Sequence, residues 1–362
     1  MTHSAQLGLF PEPEDQKRAF RKPVNVASVP QRSPFRYPGG KTWFVPTFRQ
    51  WVGEICPRPS LLVEPFAGGG IISLTGLFED LVDRVVMVEK DEQIASVWRA
   101  VVAGDSKWLA EQIVRFDLSK ESVIDEIKTK PKDLKHLAFQ TILKNRTFHG
   151  GILAEGSGLL RYGENGKGVR SRWYPRTLER RFLNLGLVSS RIDFRQDDGL
   201  EVLTQYASLP DVIHFIDPPY TAGGRKAGKR LYKYCELDHE RLFCICEDLQ
   251  GAFLMTYDNA EEVKHMARRH GFEMRLISMT STHHAQMNEL VISRNLSWMD
   301  GFPSVREPEG TYEVSSKPRA ETKLSPQAAR RWRAHTKDGD SPLGSPQTDS
   351  CRCGEKVAGI PQ

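Results

Sequence analysis

Short aliphatic or β-branched runs recur through the middle of the chain at positions 61–64, 85–89, 192–195, 212–216, 252–257, 273–278 and 290–293, each of strand length. Most are separated by stretches whose apolar residues return every three or four positions, the period of a helix with one buried face. Segment 133–144 is an example, with Leu134, Leu137, Ala138, Thr141 and Ile142 on one stripe. Strand alternating with helix predicts an α/β fold with a mostly parallel sheet covered on both faces. Between 120 and 190 the alternation stops. Helical patterns there give way to the glycine- and arginine-rich stretch "NRTFHGGILAEGSGLLRYGENGKGVRSRWYPRTLERRF", with no strand of the sheet type. The expected organisation is therefore a leader (1–32), one half of the core (33–118), an inserted, mostly helical region (119–190), the second half of the core (191–300) and a tail (301–362). Leader and tail are poor in apolar residues and rich in proline and charge, a composition that predicts disorder.

A chain of 362 residues is long enough for one large core with an inserted unit. The net charge of +5 is mild, so only its distribution is informative. The insertion carries Lys144, Arg146, Arg161, Lys167, Arg170, Arg172, Arg176, Arg180 and Arg181 against Glu155, Glu164 and Glu179, and a second run, Arg225, Lys226, Lys229, Arg230 and Lys233, has no acid before Glu236. Both runs are interleaved with Phe148, Tyr162, Trp173, Tyr174 or Tyr232, the mixture that phosphates and unstacked bases require. Nucleic acid is the expected partner. The six cysteines are scattered behind no signal peptide, so a cytoplasmic chain without disulfides is expected. No metal is expected either: Cys244 and Cys246 point to different helix faces, Cys351 and Cys353 lack a second ligand pair, and His283-His284 lacks a third ligand. No apolar run is long enough to span a membrane, because Glu64 and a glycine triplet interrupt the longest.

Two constellations carry chemistry. The first, "LLVEPFAGGG", places Gly68, Gly69 and Gly70 directly after a strand, where a ligand can approach the backbone closely. Ser73 stands where a dinucleotide fingerprint wants its third glycine, and no Gly-Lys-Ser/Thr follows, so neither a nicotinamide loop nor a P-loop is well matched. Glu89 closes the next strand about twenty residues on, at the spacing of an acid that chelates ribose hydroxyls. Loop and acid together fit a dinucleotide or S-adenosylmethionine. The second constellation is "VIHFIDPPY", a buried strand running into Asp217, Pro218, Pro219 and Tyr220. An exocyclic amine of a nucleobase is a poor nucleophile until acceptors draw it toward tetrahedral geometry. The Asp217 carboxylate and a carbonyl on the stiff proline backbone supply two, and Tyr220 offers a ring on which a flipped-out base stacks.

Four stretches in this order, "SPFRYPGGK", "VEPFAGGG", "VEKDE" and "IDPPY", resemble the Dam-like adenine-specific DNA N6-methyltransferases of α-type motif order, over roughly residues 34–295. The resemblance implies a Rossmann-like S-adenosylmethionine-dependent methyltransferase sheet, transfer of a methyl group to a flipped-out adenine in double-stranded DNA, and a DNA-recognition role for the insertion. It further implies methyl-donor contacts from Tyr37, Lys41, Glu89 and Asp217, a pocket shaped by Phe66, Gly68 and Gly70, and an acid near the donor's adenine, with Asp198 favoured over Asp197. Arg146, Lys167, Arg170, Arg172, Arg225, Lys226, Lys229 and Arg230 are the candidate DNA contacts. Methylation of RNA adenine or of cytosine N4, an inactive methylase-like DNA-binding protein, and a nicotinamide oxidoreductase are the alternatives. In the leader, "QLGLF" (Gln6, Leu7, Leu9 and Phe10 among its residues) resembles the peptide that hooks bacterial proteins onto the sliding clamp.

Overall fold

The computed structural model describes residues 28–36, 39–154, 156–163, 166–219, 237–280 and 286–300. The helices in chain order are α1 (Val45–Gly53), α2 (Ile71–Phe78), α3 (Glu92–Val102), α4 (Ser106–Arg115), α5 (Lys120–Lys128), α6 (Leu134–Thr147), α7 (Pro175–Val188), α8 (Gly199–Gln205), α9 (His239–Asp248) and α10 (Glu261–Arg269). Seven strands, β1 (Leu61–Glu64), β2 (Arg84–Val88), β3 (Ile192–Arg195), β4 (Val212–Ile216), β5 (Phe253–Asp258), β6 (Glu273–Thr280) and β7 (Gln286–Ser293), form one sheet in the order β3-β2-β1-β4-β5-β7-β6. The first five are parallel, and β7 runs antiparallel between β5 and β6. This is the Rossmann-like sheet expected from the sequence, with five helices, α3 to α7, standing between β2 and β3 among the described residues.

Burial follows from the strand sequences. Every residue of β4 and of β5 is buried, as an interior strand covered on both faces must be. Alternate residues feed different layers: Ile213 and Phe215 enter the larger core with Phe44, Phe48, Leu62, Met87 and Trp98, while Ile216 joins Phe243, Met255, Tyr257 and Ile292 on the other face. The larger core extends into the inserted helices. α6 packs on α3 and α7 on α4, so Ala138, Ile142, Leu178 and Phe182 are part of it.

α6 differs from the single stripe its sequence suggests. Asp133 caps it by accepting from the His136 N–H, but after its first turn Ala138 to Leu143 are buried all round, together with Asn145, Arg146 and Thr147. A helix enclosed on every side shows little sequence periodicity.

The turn from β1 into α2 depends on Gly70. Its φ is +63°, and a β-carbon there would lie 2.4 Å from Met87 Cε and 3.0 Å from the Trp98 ring. The left-handed backbone and the overpacking each cost about 1–3 kcal/mol for any other residue. Gly70→Ala is therefore expected to destabilise the fold by roughly 2–4 kcal/mol in urea denaturation, whereas Gly53→Ala, which meets nothing within 4 Å, serves as the mild control.

Candidate active site

The residues of interest gather at the carboxyl edge of the parallel strands. Lys41 opens a 3-10 turn, Lys41–Phe44, immediately after Gly39 (φ +72°) and Gly40. Phe44 of that turn and Phe48 of α1 then pack on Phe215, with ring centroids 5.6 and 6.2 Å away. Since Phe215 lies two residues before Asp217, this aromatic contact delivers Lys41 to the end of β4. Its Nζ sits 2.9 Å from Asp217 Oδ1 and 3.3 Å from Glu289 Oε2, and donates to the Gly39 carbonyl at 3.2 Å. Thr256 on β5 donates its hydroxyl to the same Oδ1 at 2.8 Å. Burial opposes the charge on Lys41, but the two carboxylates outweigh it and hold the ammonium above its ordinary value. Breaking such a buried pair by removing one partner costs about 3–5 kcal/mol.

One strand away, Ala67 to Gly70 form a tight loop in which the Gly70 N–H donates to the Ala67 carbonyl at 2.6 Å and the Trp98 indole N–H donates to the Gly68 carbonyl at 2.9 Å. The N-terminus of α2 does not wait for a phosphate. Glu64, the last residue of β1 and 3% exposed, accepts from the Ser73 N–H at 3.0 Å and from the Ser73 hydroxyl. Where a dinucleotide loop offers N–H groups to pyrophosphate, this chain has already placed a buried acid on the Ser73 N–H. Burial pushes the Glu64 carboxyl up to about 8, with the Ser73 hydrogen bonds opposing and the Asp217 charge adding to the rise.

At the end of β2, Glu89 accepts from the Asp91 N–H at 2.9 Å, and burial raises its carboxyl to about 7. The side chain keeps some contact with solvent, which works against so large a rise. At the end of β3, Asp198 caps α8 through the Leu200 N–H and pairs with Lys90 at 2.9 Å. Despite the cost of partial burial, Lys90 and the cap hold it below the ordinary range. Phe66 lies over the same corner: a β-carbon on Gly199 would be 2.9 Å from its ring and 2.3 Å from the Pro65 carbonyl. Lys41, Glu64, Phe66, Gly68, Gly70, Glu89, Asp198 and Asp217, with Pro218 and Pro219 following, thus stand along one edge, from the ends of four adjacent strands and from the turn packed on them.

No protein-family model matches the sequence, and no curated protein does. Solved structures with a similar sheet include the rRNA methyltransferase aviRa from Streptomyces viridochromogenes (12% identity, 75% of this chain and 94% of that one, TM-score 0.37). Others are spermidine synthase from Thermotoga maritima (10%, 77% and 62%, 0.33) and the M1A22 tRNA methyltransferase TrmK of B. subtilis (10%, 69% and 66%, 0.30). At these identities and TM-scores no substrate or reaction carries over to this chain.

Among the candidate DNA contacts, Lys167 and Arg170 are exposed and Arg172 is half-buried, close in sequence to exposed Tyr162 and Tyr174. Arg146 is a correction. It is 5% exposed and donates to the Pro34 carbonyl, and burial with neighbouring Arg181 and Arg36 presses its pKa down. Its position inside α6, facing the chain before Lys41, makes it a structural donor. Asn145 beside it clamps that same chain: its Oδ1 accepts from the Arg36 N–H at 2.8 Å, and its Nδ2 donates to the Arg36 and Gly151 carbonyls at 2.9 and 2.8 Å. Arg181 of α7 donates to the Ser33 carbonyl at 2.9 Å. Tyr37, Tyr220, Arg225, Lys226, Lys229, Arg230, the leader peptide Gln6, Leu7, Leu9 and Phe10, and the tail lie outside the described residues. Among the described residues, no helix is long and apolar enough to cross a membrane.

Sequence reasoning missed Glu64, Thr256, Glu289 and Asn145 as members of the site. Glu64 had counted merely as a break in an apolar run, yet an acid inside "LLVEPF", like the one in "MNELVI", is itself a signal, because a carboxylate in a buried strand must be paired or protonated. A cleft of about 360 Å³ opens at the opposite, amino edge of the sheet, between Leu61, Arg84, Asp193 and Tyr206, and none of the residues above lines it.

The raised Glu64 carboxyl has a consequence for stability. Its proton is held more tightly in the fold than in the unfolded chain, where 4.5 applies, so this contribution is full below that pH and is lost as pH rises toward about 8. Between pH 5.5 and 7.5 the wild type should lose on the order of 2 kcal/mol that Glu64→Gln does not lose, as read from urea midpoints at the two pH values.

Proposed function

We propose that the protein is a DNA adenine N6-methyltransferase that uses S-adenosylmethionine. The observation that carries this reading is the Asp217-Pro218 corner at the end of β4, held by Lys41 and Thr256 on one edge with the Gly68–Gly70 loop. This edge, at the strands flanking the first crossover, is where open α/β sheets bind ligands.

The residues fit the donor. Gly70 admits no side chain, Glu89 offers a carboxylate at the ribose spacing, and the Glu64 acid on α2 disfavours a phosphate-bearing cofactor. Lys41, Phe66, Gly68, Gly70, Glu89, Asp198 and Asp217 would hold it, Lys41 through its ammonium and Glu89 through ribose hydroxyls. S-adenosylmethionine supplies a sulfonium methyl group, which passes to nitrogen as the carbon–sulfur bond breaks and its electron pair returns to sulfur.

The chain's own part is positioning and charge stabilisation. Asp217 and the Pro218 carbonyl accept from the two amine hydrogens, which draws the nitrogen lone pair out of the ring and offsets the positive charge that grows there. Lys41 at 2.9 Å and the Thr256 hydroxyl at 2.8 Å both contact Asp217 Oδ1, which fixes the orientation of the carboxyl group for this task. A methylated exocyclic ammonium on a purine is very acidic, so its proton leaves to Asp217 or water without a stronger base. Exposed Lys167 and Arg170, with Tyr162 and Tyr174 nearby, would meet the DNA backbone and bases, so binding should weaken steeply with salt.

The test is to incubate full-length protein with labelled donor and unmodified duplex DNA, RNA or single-stranded DNA, and to resolve the products as nucleosides. N6-methyladenine from duplex DNA is expected, whereas N4-methylcytosine or a product from RNA alone overturns the assignment. Asp217→Asn should lower the single-turnover rate roughly 10³-fold, the scale of losing a preorganised transition-state contact. Donor affinity gives a further check. An ionised Glu89 accepts from ribose more strongly than the neutral acid, so Kd should fall from pH 6 to pH 8 in the wild type and stay flat in Glu89→Gln.

A further inference from the structure

Away from this edge, α9 and α10 pack side by side and bring together Glu240, Cys244 and His270, whose ligating atoms all lie within 4.8 Å of one another. The geometry points to a binding site for a divalent cation of the zinc class, formed by the Glu240 carboxylate, the Cys244 thiolate and the His270 imidazole, that ties α9 to the end of α10.

Spacing on the helix comes first. Glu240 and Cys244 are four apart in α9 and Glu247 three further on, so all three share one face, while Cys246 points inward and is buried. The third ligand comes from the C-terminal end of α10, a turn too distant in sequence to suggest a metal motif. Its ring is fixed before any ion arrives: the His270 side chain is 6% exposed, with its centroid 5.6 Å from Phe243 and stacked at 21° on Phe272.

The imidazole and the carboxylate already stand at the separation the ion requires. His270 Nε2 is 3.3 Å from Glu240 Oε1. Two ligands each about 2.0–2.1 Å from one zinc ion lie roughly 3.3–3.4 Å apart at the tetrahedral angle. Arg269 contacts the other oxygen, Oε2, so Glu240 can ligate through Oε1 and keep its arginine. The remaining ring nitrogen, Nδ1, is 2.8 Å from Glu247 Oε1, a charge contact whose angle does not make a hydrogen bond. A small turn of Glu247 would align it as the carboxylate that orients a metal-bound histidine. Thiolate, imidazole and carboxylate together select a borderline-soft cation over calcium or magnesium. Three protein ligands leave a fourth position for water, and the thiol releases its proton to solvent on binding.

The experiment uses full-length protein stripped with chelator. It is titrated with Zn²⁺ against a chromophoric competitor and, separately, with Co²⁺ followed by visible absorption. One equivalent should bind, with tetrahedral cobalt bands and a thiolate charge-transfer band. Cys244→Ser, an exposed and structurally mild change, should abolish the charge-transfer band and weaken Zn²⁺ at least tenfold, and His270→Gln should do the same. The double variant Cys351→Ser/Cys353→Ser should leave both signals intact. Absence of stoichiometric binding, binding indifferent to Cys244→Ser, or binding lost in the Cys351/Cys353 variant overturns the assignment.

Discussion

A lysine buried between two carboxylates is the constraint from which the rest of the site follows. Removing Lys41, Asp217 and Glu289 from water is expensive, and their mutual attraction offsets that cost only while all three stay in place. Their geometry is fixed by apolar packing. Phe44 and Phe48 seat the first helix on Phe215, and the ammonium arrives at the carboxylate because the rings do. The core therefore sets the chemistry: a large-to-small change at Phe215 would cost roughly 3–5 kcal/mol and would also release Lys41 from its partners.

Sheet topology explains why so many acids share one edge. Five parallel strands all end on the same side, which brings Glu64, Glu89, Asp198 and Asp217 there from separate strands. β7 runs the other way, yet its register opposite β5 pairs Glu289 with Asp258 and places it at the same level. An edge lined with carboxyl groups offers hydrogen-bond acceptors, which suit a ligand rich in donors better than a phosphate. Glu64 sharpens this preference by taking the very N–H that an anion would use at the start of α2.

What could be read beforehand was what local pattern controls. Strand positions follow from β-branched runs, with β2 and β5 displaced by one residue and β6 and β7 two and four residues longer than their runs suggest, because strand ends answer to neighbours. Glycine at position 70 and the acid at 217 announced themselves by spacing to the strands before them. Long-range partners stayed hidden. Nothing near Thr256 or Glu289 says that each faces the end of β4, since that follows from sheet order. Arg146 misleads for the same reason: a cation in a basic run looks solvated until the enclosing helices are known, and its burial against Pro34 comes with α3, α4 and α5 packing around α6.

The Asn145 clamp on Arg36 bears on how such a protein can diversify. Asn145, Arg146 and Arg181 all grip the strip of chain, Ser33 to Arg36, that leads into the lysine turn. The helices between β2 and β3 are thus no interchangeable cassette. A transplant that discarded these three side chains would unfasten Lys41 from its carboxylates along with the exchanged helices, so changes that spare this edge must fall on exposed loops while this inner hinge-pin is kept.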